Sequence, residues 1–145
     1  MAAIEAQVAI NAPIEKVYQY LLDFPKHSEW AAHPLALTQA GAGPVVVGTR
    51  FDSVGHMMSK DFHDQVEVTE AVPNERIGFE VDSGNNRLRY RFTLRLQGSA
   101  TVLTKSVEPL RMGFPFIVVA PILAITGVFK KGIQGDLERI RAKLE

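Results

Sequence analysis

Two charged side chains, Asp64 and Lys105, fall at positions where an alternating strand points them toward the protein interior. The residues that share the face of Asp64 by strict alternation are Phe62, Val66 and Val68. A carboxylate on an inward face must be paired, protonated or close to water, because burying it alone is costly. The alternative is a β-bulge that turns Asp64 outward.

The direction of Lys105 depends on the length of the turn at residues 98–99. A two-residue turn pairs Phe92 with Lys105 and points the lysine inward. The residues that a three-residue turn sends inward instead are Thr104, Ser106 and Glu108. The sequence leaves both registers open. If Asp64 and Lys105 both face a cavity, they can orient a ligand's polar head or act as acid and base.

Metal and nucleotide chemistry is not indicated. The four histidines are His27, His33, His56 and His63, and no pair has the spacing of four residues that a helical metal site uses. Carboxylate and thiol partners at ligand spacing are absent, and the chain has no cysteine and no Gly-rich phosphate loop. We therefore expect no metal and no nucleotide cofactor.

A row of arginines alternates along one predicted strand, and its members are Arg87, Arg89, Arg91 and Arg95. Such a row suits a nucleic-acid stripe or a solvated sheet face. A hairpin turn at residues 84–85 places Asp82 opposite Arg87 and Glu80 opposite Arg89, which is ordinary sheet pairing. Lysine plus arginine total 16 and aspartate plus glutamate total 16, so the net charge is zero. We expect no nucleic-acid partner.

The periodicity of apolar residues predicts the elements that position these side chains. A strand over residues 4–10 precedes an amphipathic helix from about Pro13, a short second helix closed by Pro34, about six strands and one long C-terminal helix. The 145 residues fit one domain, residues 1–145. A curved antiparallel sheet around a helix from about Pro115 to Leu144 buries this pattern.

The uncharged segment 113–129, "GFPFIVVAPILAITGVF", is the most apolar part of the chain. It is shorter than the roughly 20 residues of a membrane span and is interrupted by Pro115, Pro121 and Gly127, so we expect no transmembrane segment. Its ten large apolar side chains need cover on more than one side, since burial of each contributes about 2 kcal/mol.

The amphipathic seam of the terminal helix, continued backwards through this segment, predicts which side chains face the sheet. Those expected to line the cavity are Val118, Ile122, either Ile125 or its neighbour Thr126, and Phe129. Those expected on the other side are Phe116, Val119 and Leu123. A partner subunit in a homodimer or a lipid surface is one hypothesis for their cover, and the first helices and loops are an equally good one.

Several stretches resemble one family. "VAINAPIEKVYQYLLDFPKHSEW", "VGTRF", "VTEAVPNERIGFEV" and "DLERIRAKLE" resemble motifs of the START-like, pollen-allergen-like (SRPBCC) superfamily, most closely its polyketide cyclase/dehydratase and lipid-transport branch. The resemblance implies an α+β helix-grip fold. In that fold a curved antiparallel β-sheet, here of about seven strands, grips a long C-terminal helix, with two short helices after the first strand and a cavity between sheet and helix.

The resemblance also implies a hydrophobic ligand such as a lipid, sterol, polyketide or plant hormone. The inward aromatic residues that we expect to contact it are Trp30, Phe51, Phe79, Tyr90 and Phe92. Core packing alone explains each of them equally well. His27 and His33 flank Trp30, near the cavity mouth of such a fold. No catalytic signature accompanies the motifs.

Three functions compete at this point. The leading one is a carrier or sensor of a hydrophobic small molecule, and the second is a polyketide cyclase or dehydratase. The third is a lipid- or quinone-handling protein that works at a membrane surface. The N-terminal segment carries Glu5 and no basic region, so we expect no signal peptide and a cytoplasmic protein.

Overall fold

A computed structural model describes residues 3–32, 34–57 and 59–145. Within these residues seven strands form one antiparallel sheet in the order β1-β7-β6-β5-β4-β3-β2. The strands are β1 (Ile4–Ile10), β2 (Leu35–Gln39), β3 (Arg50–Met57), β4 (Lys60–Val72), β5 (Arg76–Asp82), β6 (Arg87–Gln97) and β7 (Ala100–Arg111).

The helices follow the first strand and the last. They are α1 (Ile14–Leu22), a 3-10 helix (Phe24–Glu29), α2 (Phe116–Thr126) and α3 (Val128–Leu144). The short second helix expected to end at Pro34 is thus a 3-10 helix that begins and ends earlier. The α+β class is confirmed, and a sheet packed on a long C-terminal helix is consistent with the helix-grip fold.

Helix α3 packs on the sheet through one apolar seam, and it contacts β1 and β7. The buried residues of the seam are Ile133, Leu137, Ile140 and Leu144. Their spacing of three or four residues keeps them on one face of the helix. The amphipathic pattern in the sequence therefore predicted this contact.

The expectation of one continuous C-terminal helix is wrong, because the helix is interrupted at Gly127. This residue has φ of 77°, in the left-handed region, and its N–H donates to the carbonyl of Ala124 at 3.2 Å. Pro121 lies inside α2 and is not the break. A left-handed glycine just after a helix is a common stop, since glycine adopts it without a Cβ clash.

Membrane-span criteria give a limited result for these helices. In the described parts of the chain, no single helix combines the length and apolar character of a span; α2 and α3 satisfy the criteria only as a pair, bent by 73°.

The two open questions of strand direction are answered by the register. Phe92 lies opposite Lys105 and Leu94 opposite Leu103, which is the register of the two-residue turn at residues 98–99. Lys105 therefore points inward. The register shift in β4 lies between Val68 and Glu70 and so does not affect Asp64, which pairs with the buried Ser53. Asp64 therefore points inward as well.

Alternation fails at one end of β4. Phe62, which strict alternation placed inward, is 43% exposed, because the β3–β4 hairpin extends beyond the core at this end. His63 is also exposed there, whereas His33 lies outside the described residues.

The outer arginine row pairs with carboxylates across the strands, as expected for a solvated face. Arg87 donates from Nε to Glu80 at 2.8 Å and from Nη1 to Asp82 at 3.0 Å. Arg91 donates to Glu70 at 2.5 Å, and the two side chains are partly exposed. Exposed pairs of this kind contribute little each, but they neutralise three of the four arginines, Arg87, Arg89 and Arg91.

The start of α2 is fastened to the β5–β6 hairpin by a pair of asparagines, which we call the asparagine latch (Asn85 and Asn86). Asn85 donates from Nδ2 to the carbonyl of Phe114 at 2.8 Å, and the N–H of Gly113 donates to Asn86 Oδ1 at 2.9 Å. A Cβ at Gly113 would lie 1.8 Å from Asn85 Oδ1, so any other residue there would displace the Asn85 side chain from the latch.

The break at Gly127 yields a stability prediction. Gly127→Ala should lower the free energy of unfolding by about 1 kcal/mol, because alanine in the left-handed region is strained. A Cβ at either Gly127 or Gly132 meets no atom within 4 Å, but Gly132 lies inside α3 without a positive φ. Gly132→Ala should therefore raise stability by about 0.5–1 kcal/mol. Urea unfolding measures both, and stabilisation by Gly127→Ala would contradict the break.

Candidate ligand-binding site

Two pockets lie on the inner face of the sheet. The helix pocket, of about 350 Å³, is enclosed by β6, β7, α2 and α3, and its apolar lining includes Leu88, Met112, Phe116, Val128, Phe129 and Ile133. The aromatic pocket, of about 220 Å³, is lined among others by His27, Trp30, Ser53, Asp64, Val66 and Phe79. Tyr90, Lys105 and Asp136 line both pockets and form the polar wall between them.

Lys105 is the centre of the polar wall. Its residue is 4% exposed, and Nζ donates to Asp136 Oδ2 at 2.9 Å. The ammonium also lies 4.9 Å from the ring centre of Trp30 and 5.4 Å from that of Tyr90, within the range of cation–π attraction. Burial lowers the pKa of Lys105, and the Asp136 carboxylate opposes that shift.

Asp136 connects the wall to the rest of the fold. Its Oδ1 accepts from Arg139 Nη2 at 2.6 Å, one turn along α3. Arg139 in turn donates from Nε to the carbonyl of Trp30 at 2.6 Å. One carboxylate therefore holds a sheet lysine, and through Arg139 it ties α3 to the segment after the 3-10 helix.

Tyr90 and Asp64 complete the polar groups around the wall. Burial raises the pKa of Tyr90 to about 12, and the negative charges of Asp136 and Asp64 add to the shift. The phenol thus stays protonated at neutral pH and can donate a hydrogen bond to a ligand. The ring of Tyr90 stacks on Phe79 at 5.1 Å, which fixes its plane.

His27 is a buried neutral side chain in the aromatic pocket. It is 2% exposed, and its Nε2–H donates to the carbonyl of Leu21 at 2.8 Å. Its pKa is lowered to about 4, mainly by burial and also by the Lys105 charge, while the hydrogen bond to Leu21 opposes the shift. The ring stacks on Phe24 with centres 4.5 Å apart. His27 is therefore a fixed, uncharged part of the pocket floor at neutral pH.

The structure brings together most of the residues that the sequence singled out. Those that line a pocket are Trp30, Asp64, Phe79, Tyr90, Lys105 and Phe129. Phe51 and Phe92 are fully buried in the core and do not line either pocket. Both side chains therefore pack in the core. The ring of Phe51, for example, stacks on that of Phe24 with the ring centres 4.8 Å apart.

Three predicted lining residues are misplaced. Val118, Ile122 and Ile125 are 56%, 59% and 87% exposed, so the expectation that they face the sheet is wrong. The helical projection assumed an unbroken helix, and the break at Gly127 rotates α2 relative to α3. Phe116, expected on the opposite side, lines the helix pocket instead.

Sequence reasoning missed Asp136, which the site depends on. Asp136 follows Ile133 by three residues and precedes Ile140 by four, so it lies on the apolar seam of α3. A carboxylate on such a seam is the same signal that identified Asp64, and it could have been used here.

The chemistry of the wall follows from its groups. A charged lysine and a neutral phenol supply donors, and Asp64 and Asp136 supply acceptors, at the junction of two otherwise mostly apolar pockets. The described residues contain no group of three or more His, Asp or Glu side chains arranged to hold a metal ion. The site suits an apolar molecule with one oxygenated group.

Comparison with solved structures identifies the fold class. CV1439 from Chromobacterium violaceum matches with a TM-score of 0.75 and 20% identity, covering 100% of this chain and 99% of that one. TTHA0849 from Thermus thermophilus matches with a TM-score of 0.76 and 16% identity, covering 99% of this chain and 97% of that one. The di-domain ARO/CYC StfQ from the steffimycin biosynthetic pathway matches with a TM-score of 0.76 and 14% identity, covering 98% of this chain and 50% of that one.

The family follows from the sequence as a whole. Residues 1–145 match the model of the family described as polyketide cyclase / dehydrase and lipid transport, and the chain belongs to that family. No curated protein matches the chain. The family assignment confirms the resemblance drawn from the sequence motifs.

The buried neutral His27 predicts a specific acid sensitivity. Its pKa is about 4 in the folded protein and about 6.5 in the unfolded chain, so only the unfolded chain binds a proton between these values. Stability should fall by about 3 kcal/mol as the pH drops from 7 to 4 on account of this group. In His27→Gln that part of the loss should vanish in unfolding titrations, even if the variant is less stable throughout.

The control for this titration is His56→Gln. His56 is exposed and contacts Asp61 on the β3–β4 hairpin, far from the core. An acid dependence of His27→Gln equal to that of wild type would contradict the assignment of a buried neutral imidazole.

Proposed function

We propose that the protein binds a hydrophobic small molecule with an oxygenated group, in an internal cavity formed by the helix pocket and the aromatic pocket. The polar wall of Tyr90, Lys105 and Asp136 is the observation that carries this proposal. A buried ion pair placed between two pockets is costly to maintain for packing alone. At this position it can hydrogen-bond a ligand while the apolar body of the ligand fills the helix pocket.

The size and lining of the pockets support this role. The helix pocket, at about 350 Å³, falls within the range of small-molecule sites. Each methylene group moved from water into such a lining contributes about 0.8 kcal/mol, so affinity comes mainly from the apolar body. The donors of Lys105 and Tyr90 then select for a carbonyl, hydroxyl or carboxylate at one point of the ligand.

Ala120 offers a way to test occupancy of the helix pocket. It is fully buried on α2 and lines the pocket, so Ala120→Leu must project into the space assigned to the ligand. Binding of anilinonaphthalene sulfonate, read by fluorescence, should weaken by roughly tenfold or more. Ala124→Leu, one turn along α2 and outside the pocket lining, is the matched control and should bind as wild type does.

The natural ligand is sought by native mass spectrometry of the purified protein, followed by extraction of bound compounds. A wild type that carries no bound compound and does not bind the fluorescent probe would contradict the proposal. Retention of the extracted compound by Ala120→Leu would place it outside the helix pocket.

A polyketide cyclase or dehydratase is the second candidate. It is favoured by the presence of Asp64, Tyr90 and Lys105 around one site, since such a set can remove and return protons. The similarity to StfQ, described as ARO/CYC, points the same way. An enzyme converts the extracted compound by loss of water, which lowers its mass, or by ring closure, which leaves the mass but changes the chromatographic retention, whereas a carrier returns it unchanged in both.

The two candidates differ in their response to Lys105→Met. For an enzyme, turnover should fall by at least about a hundredfold if Lys105 takes part in proton transfer. For a carrier, only affinity changes. Phe62→Met, on the exposed end of β4, is a control that should alter neither.

We further propose that residues 1–145 form one binding domain and that the protein works in the cytoplasm. Cell fractionation tests the location. A lipid- or quinone-handling role at a membrane surface is a third form of it, and it is favoured by the exposed apolar side chains of α2. A homodimer would cover the same side chains.

A further inference from the structure

The outward face of α2 is a large apolar surface, which we call the α2 patch. Its members, all more than 50% exposed, are Phe114 just before the helix and Ile117, Val118, Ile122 and Ile125 within it. At 100° per residue, the four of them within the helix span an arc of about 140°. Clusters of exposed large apolar residues on this scale mark interaction surfaces.

The chain segment that carries the patch has basic but no acidic residues. Between Glu108 and Asp136 the sequence has no acidic residue, and its basic residues are Arg111, Lys130 and Lys131. Arg111 is held by Asp82 at 3.1 Å, but Lys130 and Lys131 are exposed and form no ion pair with any residue in the ranges described. An apolar surface with free lysines at its edge is complementary to an anionic lipid bilayer.

A membrane fits the patch better than a second copy of the chain does. A two-fold dimer through the patch would bring the free lysines of both copies, Lys130 and Lys131, near each other. Anionic headgroups instead attract these lysines, and each exposed apolar side chain inserts into the bilayer on its own.

The opposite face of the same helix encloses the helix pocket. Phe116 and Ala120 line that pocket from α2, while Ile117 and Val118 point away from it. A helix in this position separates the pocket from whatever covers the patch.

We infer that the α2 patch docks on an anionic lipid membrane, with its apolar side chains in the interface and Lys130 and Lys131 at the headgroups. Docking places the helix pocket next to the bilayer, so that an apolar ligand moves between the two without crossing water. The purpose of docking rests on the proposed function, but docking itself does not require a bound ligand.

The test is cosedimentation with vesicles of phosphatidylcholine alone and with vesicles of equal parts phosphatidylcholine and phosphatidylglycerol. Wild type should bind the anionic vesicles more tightly, and added salt should weaken that binding. Lys130→Gln with Lys131→Gln should weaken it by roughly 25-fold, about fivefold for each lysine. Ile122→Glu with Ile125→Glu should weaken it by roughly tenfold or more, because two apolar side chains are lost from the interface.

Leu96→Glu is the matched control, because Leu96 is 63% exposed near the β6–β7 turn and lies outside the patch. It should bind vesicles as wild type does. Ile122 and Ile125 are exposed, so their replacement should leave the melting temperature and anilinonaphthalene sulfonate binding unchanged.

Three results would overturn the inference. They are a wild type that binds neither vesicle, equal binding by the Ile122→Glu, Ile125→Glu variant, and a wild type that sediments as a dimer which that variant converts to a monomer. Vesicle binding by a wild type that carries no compound and does not bind the fluorescent probe would leave docking standing and would contradict the proposed function alone.

Discussion

The ammonium group of Lys105 is the constraint on which much of this structure depends. It is buried on the inner face of a sheet, where an unpaired charge would cost several kcal/mol. Asp136 satisfies it from α3, and Arg139 satisfies the second oxygen of Asp136. The position of α3 on the sheet is therefore fixed by a polar contact as well as by its apolar seam, and the two pockets exist on either side of that contact.

The aromatic residues around the wall have a related role. Trp30, Tyr90 and Phe92 place their rings within 6 Å of the Lys105 ammonium, and these faces partly replace the water that it loses. The indole Nε1 of Trp30 is buried and has no hydrogen-bond partner among the described residues.

Much of the fold was predictable because it follows from local patterns. Alternation located the strands, helical spacing located α1 and the seam of α3, and hairpin chemistry gave the pairing of Asp82 with Arg87. The break at Gly127 was not predicted, since a single glycine is tolerated in many helices and only its backbone angle marks the stop.

The site was predictable in part, for a similar reason. The alternation of side chains along the strands placed Asp64 and Lys105 inward once the turn length was known. It could not predict which residue of α3 each of them would contact. The pairing of Lys105 with Asp136 spans 31 residues and depends on how the helix rotates on the sheet. The periodicity of the strand and that of the helix each predict a buried face, but neither predicts a contact between the two elements.

The asparagine latch has a consequence for the wall of the helix pocket. Its two hydrogen bonds contribute about 1 kcal/mol each and hold the start of α2, and with it the half-buried Phe116, against the β5–β6 hairpin. Neither Asn85 nor Asn86 lines the pocket. A substitution at either asparagine would therefore loosen one wall of the pocket without removing any group that a bound compound could touch.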